Sequence, residues 1–170
     1  MKRLKRLATR SSVSIELARS TDCVELAELS RASIEYGLRW RWKPSKILDL
    51  IHSPDCTVIV AKTASGRIAG FAAMVFYESY GHLNLLATQY QLRRQGVGRG
   101  LLAWLEQSAR IAGLSYISLE VRERNAGAIR FYEQEGYQIQ VVRHGYYEGK
   151  ENALRMSHQL MSAEFAAKRP

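Results

Sequence analysis

The chain is 170 residues long, carries a formal net charge of +9, and is 46% hydrophobic and 24% charged. That length suits one domain with a substantial core and is short for two. The composition excludes a disordered, collagen-like or disulfide-stapled chain, so a single α/β domain is expected over residues 11–162, between a basic arm at 1–10 and a tail at 163–170.

From the N-terminus, residues 13–19 alternate Val13, Ile15 and Leu17 with polar neighbours, the period-2 pattern of a half-buried strand. Thr21 or Asp22 can cap a helix whose apolar side is Val24, Leu26, Leu29 and Ile34. Pro44 suits the first turn of a second helix, which ends near His52. Between the two, residues 36–42 are dense in aromatic and basic side chains, and Trp40 and Trp42 either cover the edge of the core or line an acceptor pocket. Residues 56–62 and 68–77 read as an antiparallel hairpin around the turn chemistry of 63–67. A third strand follows at 81–88, then a long helix at 96–112 with Val97, Leu101, Leu102, Leu105 and Ile111 at helical spacing and Gly113 as its stop. Residues 116–122 form a strand, 126–135 a helix closed by Gly136, and 137–143 and 153–160 two final strands. The strand-helix-strand order over 81–122 implies one right-handed parallel crossover in an otherwise largely antiparallel sheet.

The charge is unevenly placed. Residues 1–10 hold five basic side chains and no acid, and the tail at 163–170 adds Lys168 and Arg169 against Glu164, so six of the nine net charges sit at the ends. A basic arm admits an RNA- or ribosome-binding protein as one reading, with a solvated tail as the plainer one. No run of about 18 apolar residues offers a membrane span, and the cytoplasm is the expected location. Cys23 and Cys56, and His52, His82, His144 and His158, match no metal-ligand spacing. They read as buried thiols and as surface or core imidazoles, and no metal is expected.

The most informative stretch is Arg-Arg-Gln-Gly-Val-Gly-Arg-Gly at 93–100, between a strand and a helix. Gly96 and Gly98 remove side chains where backbone must approach a ligand, and the helix start presents unpaired N–H groups and a positive dipole end. Such a start suits a phosphate or pyrophosphate, with Arg93, Arg94 and Arg99 adding charge. It is neither a Walker loop nor the dinucleotide fingerprint. On the strand at 116–122, Ile117, Leu119 and Val121 share one face and Ser118 and Glu120 the other, which puts a carboxylate in the middle of an interior strand. It is either ion-paired, with Arg122 or Arg130 as the nearby partners, or functional. Tyr132, among Ile129 and Phe131, either packs its ring or serves chemistry with its hydroxyl.

Arg93-x-x-Gly96-x-Gly98 resembles the coenzyme A pyrophosphate signature of the GCN5-related N-acetyltransferases, and the element order is similar to that family's. Residues 119–125, 128–137, 146–149 and 153–156 resemble its RimI-type branch, which acetylates protein N-termini. The resemblance covers roughly residues 58–160 and fades over the first 55. It implies an α/β (α+β) GNAT-like fold: a mixed, mostly antiparallel central sheet of about seven strands with one parallel crossover, flanked by about four helices. It implies acetyl-CoA as cosubstrate, with the backbone at Leu86, Ala87 and Thr88 on the pantetheine arm and acetyl carbonyl. The loop of Arg93, Arg94, Gln95, Gly96, Val97, Gly98 and Arg99 takes the pyrophosphate, and Asn125 hydrogen-bonds the cofactor. Glu120 stands at the general base and Tyr132 at the general acid. Two departures are Tyr90, where the family often has proline, and Asn152, where relatives often have Asp.

Acyl transfer from a thioester needs a neutral amine. Deprotonating an α-amino group at pH 7 costs about 1 kcal/mol against roughly 4–5 for a lysine side chain, which favours a protein or peptide N-terminus as acceptor. A small amine such as a polyamine, an antibiotic or an amino-acid-like compound is the alternative, motivated by the aromatic patch around Trp40. Tyr146 and Tyr147, placed in the turn between the last two strands, either grip an extended peptide or cap the sheet edge. A homodimer is left open.

Overall fold

The computed structural model describes residues 13–160; the basic arm and the tail lie outside the described residues. Seven strands form one sheet: β1 (Val13–Leu17), β2 (Cys56–Thr63), β3 (Ile68–Phe76), β4 (Tyr80–Thr88), β5 (Tyr116–Arg122), β6 (Gln138–Tyr147) and β7 (Glu151–Gln159). Their order is β1-β2-β3-β4-β5-β7-β6, and β4/β5 is the parallel pair while the others are antiparallel. The helices are α1 (Cys23–Ser33), α2 (Pro44–His52), α3 (Val97–Ile111) and α4 (Ala126–Gln134). The expected α/β fold with one parallel crossover is therefore the observed one.

Each helix covers the face its apolar stripe selects. Leu26, Leu29 and Ile47 of α1 and α2 pack with Val60, Phe71 and Leu85 on one face of the sheet. Leu101, Leu102 and Leu105 of α3 pack with Leu83, Ile117 and Leu119 on the other, joined there by Tyr132 of α4. As expected, Pro44 opens α2, and Gly113 and Gly136 follow the helices they stop with φ of +77° and +89°.

Two local expectations are corrected. Strand β6 runs on to Tyr147, which pairs with Glu151, so Tyr146 and Tyr147 end a strand and the turn is 148–150. Gly96 is the N-cap of α3 rather than its first residue. A single 3-10 turn, Tyr90–Leu92, stands between β4 and α3, where the proline of the family pattern is missing.

Candidate active site

In β4, Gly81, Leu83, Leu85 and Ala87 are all buried in simple alternation, yet Leu83 packs on the α3 side and Leu85 and Ala87 on the α1–α2 side. The register explains it: Met74 faces Leu83 and Ala73 faces Leu85, so Asn84 is the extra residue of a β-bulge. The parallel pairing of β4 with β5 ends one residue earlier, at Leu83↔Leu119. Past that point the two strands are unpaired, and the edge of residues 84–88 that faces β5 has no strand partner; this gap between β4 and β5 is the cleft. Gln89 donates its N–H to Ala69 in β3. Alternate residues of an antiparallel strand bond to opposite edges, so Leu86 and Thr88 turn their N–H and C=O toward the cleft, while Ala87 turns its own toward β3. Of the three residues expected to hold a pantetheine chain, Leu86 and Thr88 turn their backbone groups toward the gap and Ala87 does not.

At the mouth of this cleft, Arg94 (φ +64°) and Gly96 (φ +86°) turn the chain into α3. No side chain caps the helix, and its first internal bond is Gly100 N–H to the Gly96 carbonyl, so the N–H groups of Val97, Gly98 and Arg99 are left for a ligand. A side chain at Gly98 would meet Phe131, Leu86 and Thr88 at ordinary contact distance. Arg93 stacks on Tyr90, 5.2 Å from the ring centre, and Gln95 Nε2 bonds to the Gln91 carbonyl at 3.1 Å. Arg99 gives its Nε to Glu135 at 2.7 Å, and Asn125 uses its side-chain oxygen to cap α4 at Ala128 (3.1 Å). Both therefore hold structure at the cleft. Glycine, uncapped N–H groups and arginines together fit a pyrophosphate.

Glu120 lies on the opposite face of the sheet from α3, half-way along β5. Its ion partners are neither of the two considered from sequence. Oε1 is 2.7 Å from Arg155 and 3.4 Å from Arg143, and Oε2 is 3.1 Å from His82 Nε2. His82 Nδ1 in turn is 3.0 Å from Ser118 Oγ. Burial pushes the Glu120 carboxyl up, but hydrogen bonds and charge from His82 and Arg155 outweigh it and hold the group at about 2. Beside the cluster an open cavity of about 390 Å3 is lined by Tyr80, His82, Tyr116, Ser118, Gln140, Arg155, Ser157 and Gln159. It adjoins the cleft without including residues 86–88 or the 93–99 loop.

Tyr132 approaches from the other side. It is buried on α4, edge-on to Phe131 and Tyr137 at 5.1 and 5.6 Å, and burial, with Tyr147 adding to it, raises its phenol well above the ordinary range. Glu120 and Tyr132 thus lie on opposite faces of the sheet. Tyr147 also titrates high, through burial first and then Tyr146 and Glu120, against the lowering charge of Arg122.

Long-range pairs hold the α1–α2 connection over this opening. Arg122 bonds Glu151 at 2.6 Å, gives N–H to the carbonyls of Tyr36 (2.7 Å) and Ile34 (3.4 Å), and lies 4.2 Å over the Tyr36 ring. Glu148, at φ +57°, accepts the Arg39 N–H at 2.8 Å, and buried Glu35 accepts that of Arg41 at 2.7 Å. Trp40 gives its indole N–H to the Trp42 carbonyl at 3.1 Å, packs against the α1–α2 core and carries Arg31 at 4.9 Å. Asn152 ties Gly145 to Glu123 and so braces the β6–β7 hairpin.

Sequence reasoning missed His82, read as one of four scattered imidazoles, and with it Arg155, Arg143 and the Arg122–Glu151 pair. The available signal was Tyr80, His82 and Asn84 alternating with apolar residues on an interior strand, which places three polar side chains on a face that must use them. Among the described residues no group of three or more His, Cys, Asp or Glu could hold a metal ion, and no helix is long and apolar enough to cross a membrane.

Comparison with known proteins agrees with this geometry. The model of the acetyltransferase (GNAT) family matches residues 21–137. The ribosomal protein bS18-alanine N-acetyltransferase of Escherichia coli (strain K12) is 35% identical over 98 residues, 56% of this chain and 66% of that protein, so the match spans just under two thirds of it. A crystal structure of the ribosomal-protein-S18-alanine N-acetyltransferase from Escherichia coli superposes with a TM-score of 0.78 over 89% of this chain and 96% of that one, at 24% identity. N-alpha-acetyltransferase 20 of Dictyostelium discoideum is 34% identical over 143 residues, 81% of this chain and 82% of that protein. At the level of fold, PaiA N-acetyltransferase from Thermoplasma acidophilum, solved in complex with coenzyme A, matches with a TM-score of 0.74 at 19% identity, over 87% and 99% of the two chains.

Proposed function

The chain belongs to the acetyltransferase (GNAT) family, and from that premise we propose that it transfers an acetyl group from acetyl-CoA directly to the N-terminal α-amino group of a peptide or protein. The observation that carries the reading is the cleft. The parting of β4 from β5 at Leu83↔Leu119 makes a slot whose two faces present different groups, the Glu120–His82 pair on one and Tyr132 on the other. A thioester entering along Leu86 and Thr88 meets an amine from the first face and an acid from the second. Two relatives that acetylate protein N-termini by name support the acceptor class.

The bond formed joins the amine nitrogen to the acetyl carbon, and the bond broken is carbon to sulfur. The ammonium proton leaves to the Glu120–His82 pair, whose 3.1 Å contact makes the two groups titrate as one unit. Imidazole is the side chain that ordinarily changes charge between pH 5 and 8. Within that pair His82 carries the proton, taken directly or through water, while Glu120 orients the ring and stabilises the imidazolium. Burial keeps Tyr132 protonated; it gives its proton to the sulfur as the carbon–sulfur bond breaks, and the second nitrogen proton lost on forming the amide replaces it through solvent. Cleft-facing N–H groups at Leu86 and Thr88 stabilise charge on the acetyl oxygen. Tyr36, Tyr146 and Tyr147, on the segments that flank the opening, receive the chain behind the amine, and the cytoplasm is the compartment we assign.

The test is thiol release with acetyl-CoA and a panel of short peptides with free or blocked N-termini, lysine-bearing peptides and polyamines. Turnover confined to free N-termini is expected. Turnover of small amines alone overturns the peptide assignment, and calorimetry without acetyl-CoA binding overturns the whole reading.

A further inference from the structure

Two buried polar side-chain atoms among the described residues lack any hydrogen-bond partner, Ser30 Oγ on α1 and Asn84 Oδ1. A native buried polar atom without a partner calls for an explanation, and Asn84 stands where one is available. It is the extra residue of the β4 bulge, directly after the last residue of β4 that pairs with β5. Strand alternation places Ile117 and Leu83 on the α3 side and His82 on the other; continued by one residue it puts Asn84 on the His82 side, beside Leu85 under α1 and α2. The residue of β5 that follows the last pair is Glu120. Asn84 and Glu120 are therefore the first side chains on either side of the opening, on the face from which the acceptor comes.

His82, two residues earlier on the same face, is already engaged by Glu120 and Ser118, so what Asn84 Oδ1 lacks is an N–H or O–H donor. An acceptor amine supplies one. An α-ammonium has three N–H bonds; one proton leaves to the His82–Glu120 pair, and the neutral amine keeps two N–H bonds and the lone pair that attacks. A hydrogen bond from one of those N–H groups fixes rotation about the carbon–nitrogen bond and aims the lone pair at the acetyl carbon. We propose that Asn84 is a substrate-positioning residue whose side-chain carbonyl accepts a hydrogen bond from the attacking amine. This rests on the acetyltransferase reading above, and it extends it by assigning the amine a second contact that does not take part in proton transfer.

The position has a built-in contrast between function and stability. A side chain that leaves an acceptor unsatisfied in the free protein costs stability there and returns it when substrate binds. Asn84→Ala is expected to keep or raise the melting temperature, to leave the Kd for acetyl-CoA within about twofold, and to lower kcat/KM for the peptide acceptor by about tenfold or more. Asn84→Asp retains an acceptor oxygen and is expected to recover most of that loss; Asn84→Ser serves as a second small variant if the alanine protein folds poorly. Peptide kinetics unchanged in Asn84→Ala overturn the proposal. So does a loss of acetyl-CoA affinity with the peptide KM unmoved, which would assign Asn84 to the pantetheine amides. If only polyamines are turned over, the peptide reading fails while this one stands on the same variants, because a polyamine presents the same N–H groups.

Discussion

The two sides of the β4/β5 opening are built on different principles. The cofactor side is local: a bulge, two left-handed residues and an uncapped helix within residues 84–99, with backbone doing most of the binding. The acceptor side is assembled from side chains far apart in the chain. Arg122 reaches Tyr36 across 86 positions, Glu148 reaches Arg39 across 109, and Glu120 reaches Arg155 across 35. The first kind of site is fixed by chain geometry, which many side chains tolerate; the second depends on pairs, any one of which can be removed. Damage on one side should therefore leave binding on the other intact.

The largest effects are expected where both sides meet. His82→Gln and Tyr132→Phe should each lower kcat by about a hundredfold or more, with acetyl-CoA affinity unchanged, because general acid–base contributions are typically about 10²–10⁴. Full activity retained in His82→Gln would remove the proton-transfer role from His82.

On the cofactor side the sharpest test is Gly70→Ala in β3. A methyl there would stand 2.7 Å from the Ala87 carbonyl and 3.2 Å from Val97 at the start of α3. The Ala87 carbonyl is backbone and cannot yield cheaply, and the Val97 contact is to a side-chain carbon, so a loss of about 3 kcal/mol in stability and a weaker Kd for acetyl-CoA are expected. Peptide KM should hold among the molecules that remain folded.

Arg122→Ala tests the acceptor side. It leaves the nearly buried Glu151 carboxylate without its ion partner and frees the carbonyls of Ile34 and Tyr36. About 2–3 kcal/mol of stability should be lost, and the peptide KM should rise about tenfold at constant acetyl-CoA affinity. A change in cofactor binding equal to that in KM would erase the distinction between the two sides.

The same difference explains what could be read from the chain beforehand. Strand β5 and the stop of α3 at Gly113 follow from alternation and from glycine at a left-handed position, both local rules. The phosphate-binding loop is legible for the same reason. The bulge at Asn84 is not: residues 81, 83, 85 and 87 keep an unbroken apolar alternation through it, so the change of face leaves no mark in the pattern. His82 was passed over because its partners, Ser118 and Glu120, lie on a strand that becomes a neighbour only through the parallel crossover. Tyr146 and Tyr147 lie beyond the strand pattern of 137–143, which places them in the turn, whereas β6 continues to Tyr147 and pairs there with Glu151.

The smallest expected effect separates the two sides by pH. Glu120 is held at about 2 against an ordinary 4.5 for this carboxyl, burial opposing the shift and the His82 and Arg155 contacts producing it. A folded-state pKa below the unfolded one gives stability that is fully present above about pH 4.5 and is lost as pH falls toward 2. Arg155 and Arg143 are each about 40% exposed, so solvent screens the cluster, and about 1 kcal/mol is a reasonable size for its contribution. Glu120→Gln should therefore melt a few degrees below wild type at pH 7, about 2–4 °C for a domain of this size, and the gap should close as the pH is lowered from 5 toward 2. Gly96→Ala, strained at φ +86° on the cofactor side, should also cost about 1 kcal/mol, but no titrating group shares that strain and its gap should not move with pH. Two penalties of equal size, one erased by acid and one indifferent to it, would assign the first to paired charge and the second to backbone; parallel behaviour would show that the Glu120 cluster contributes no net electrostatic stability.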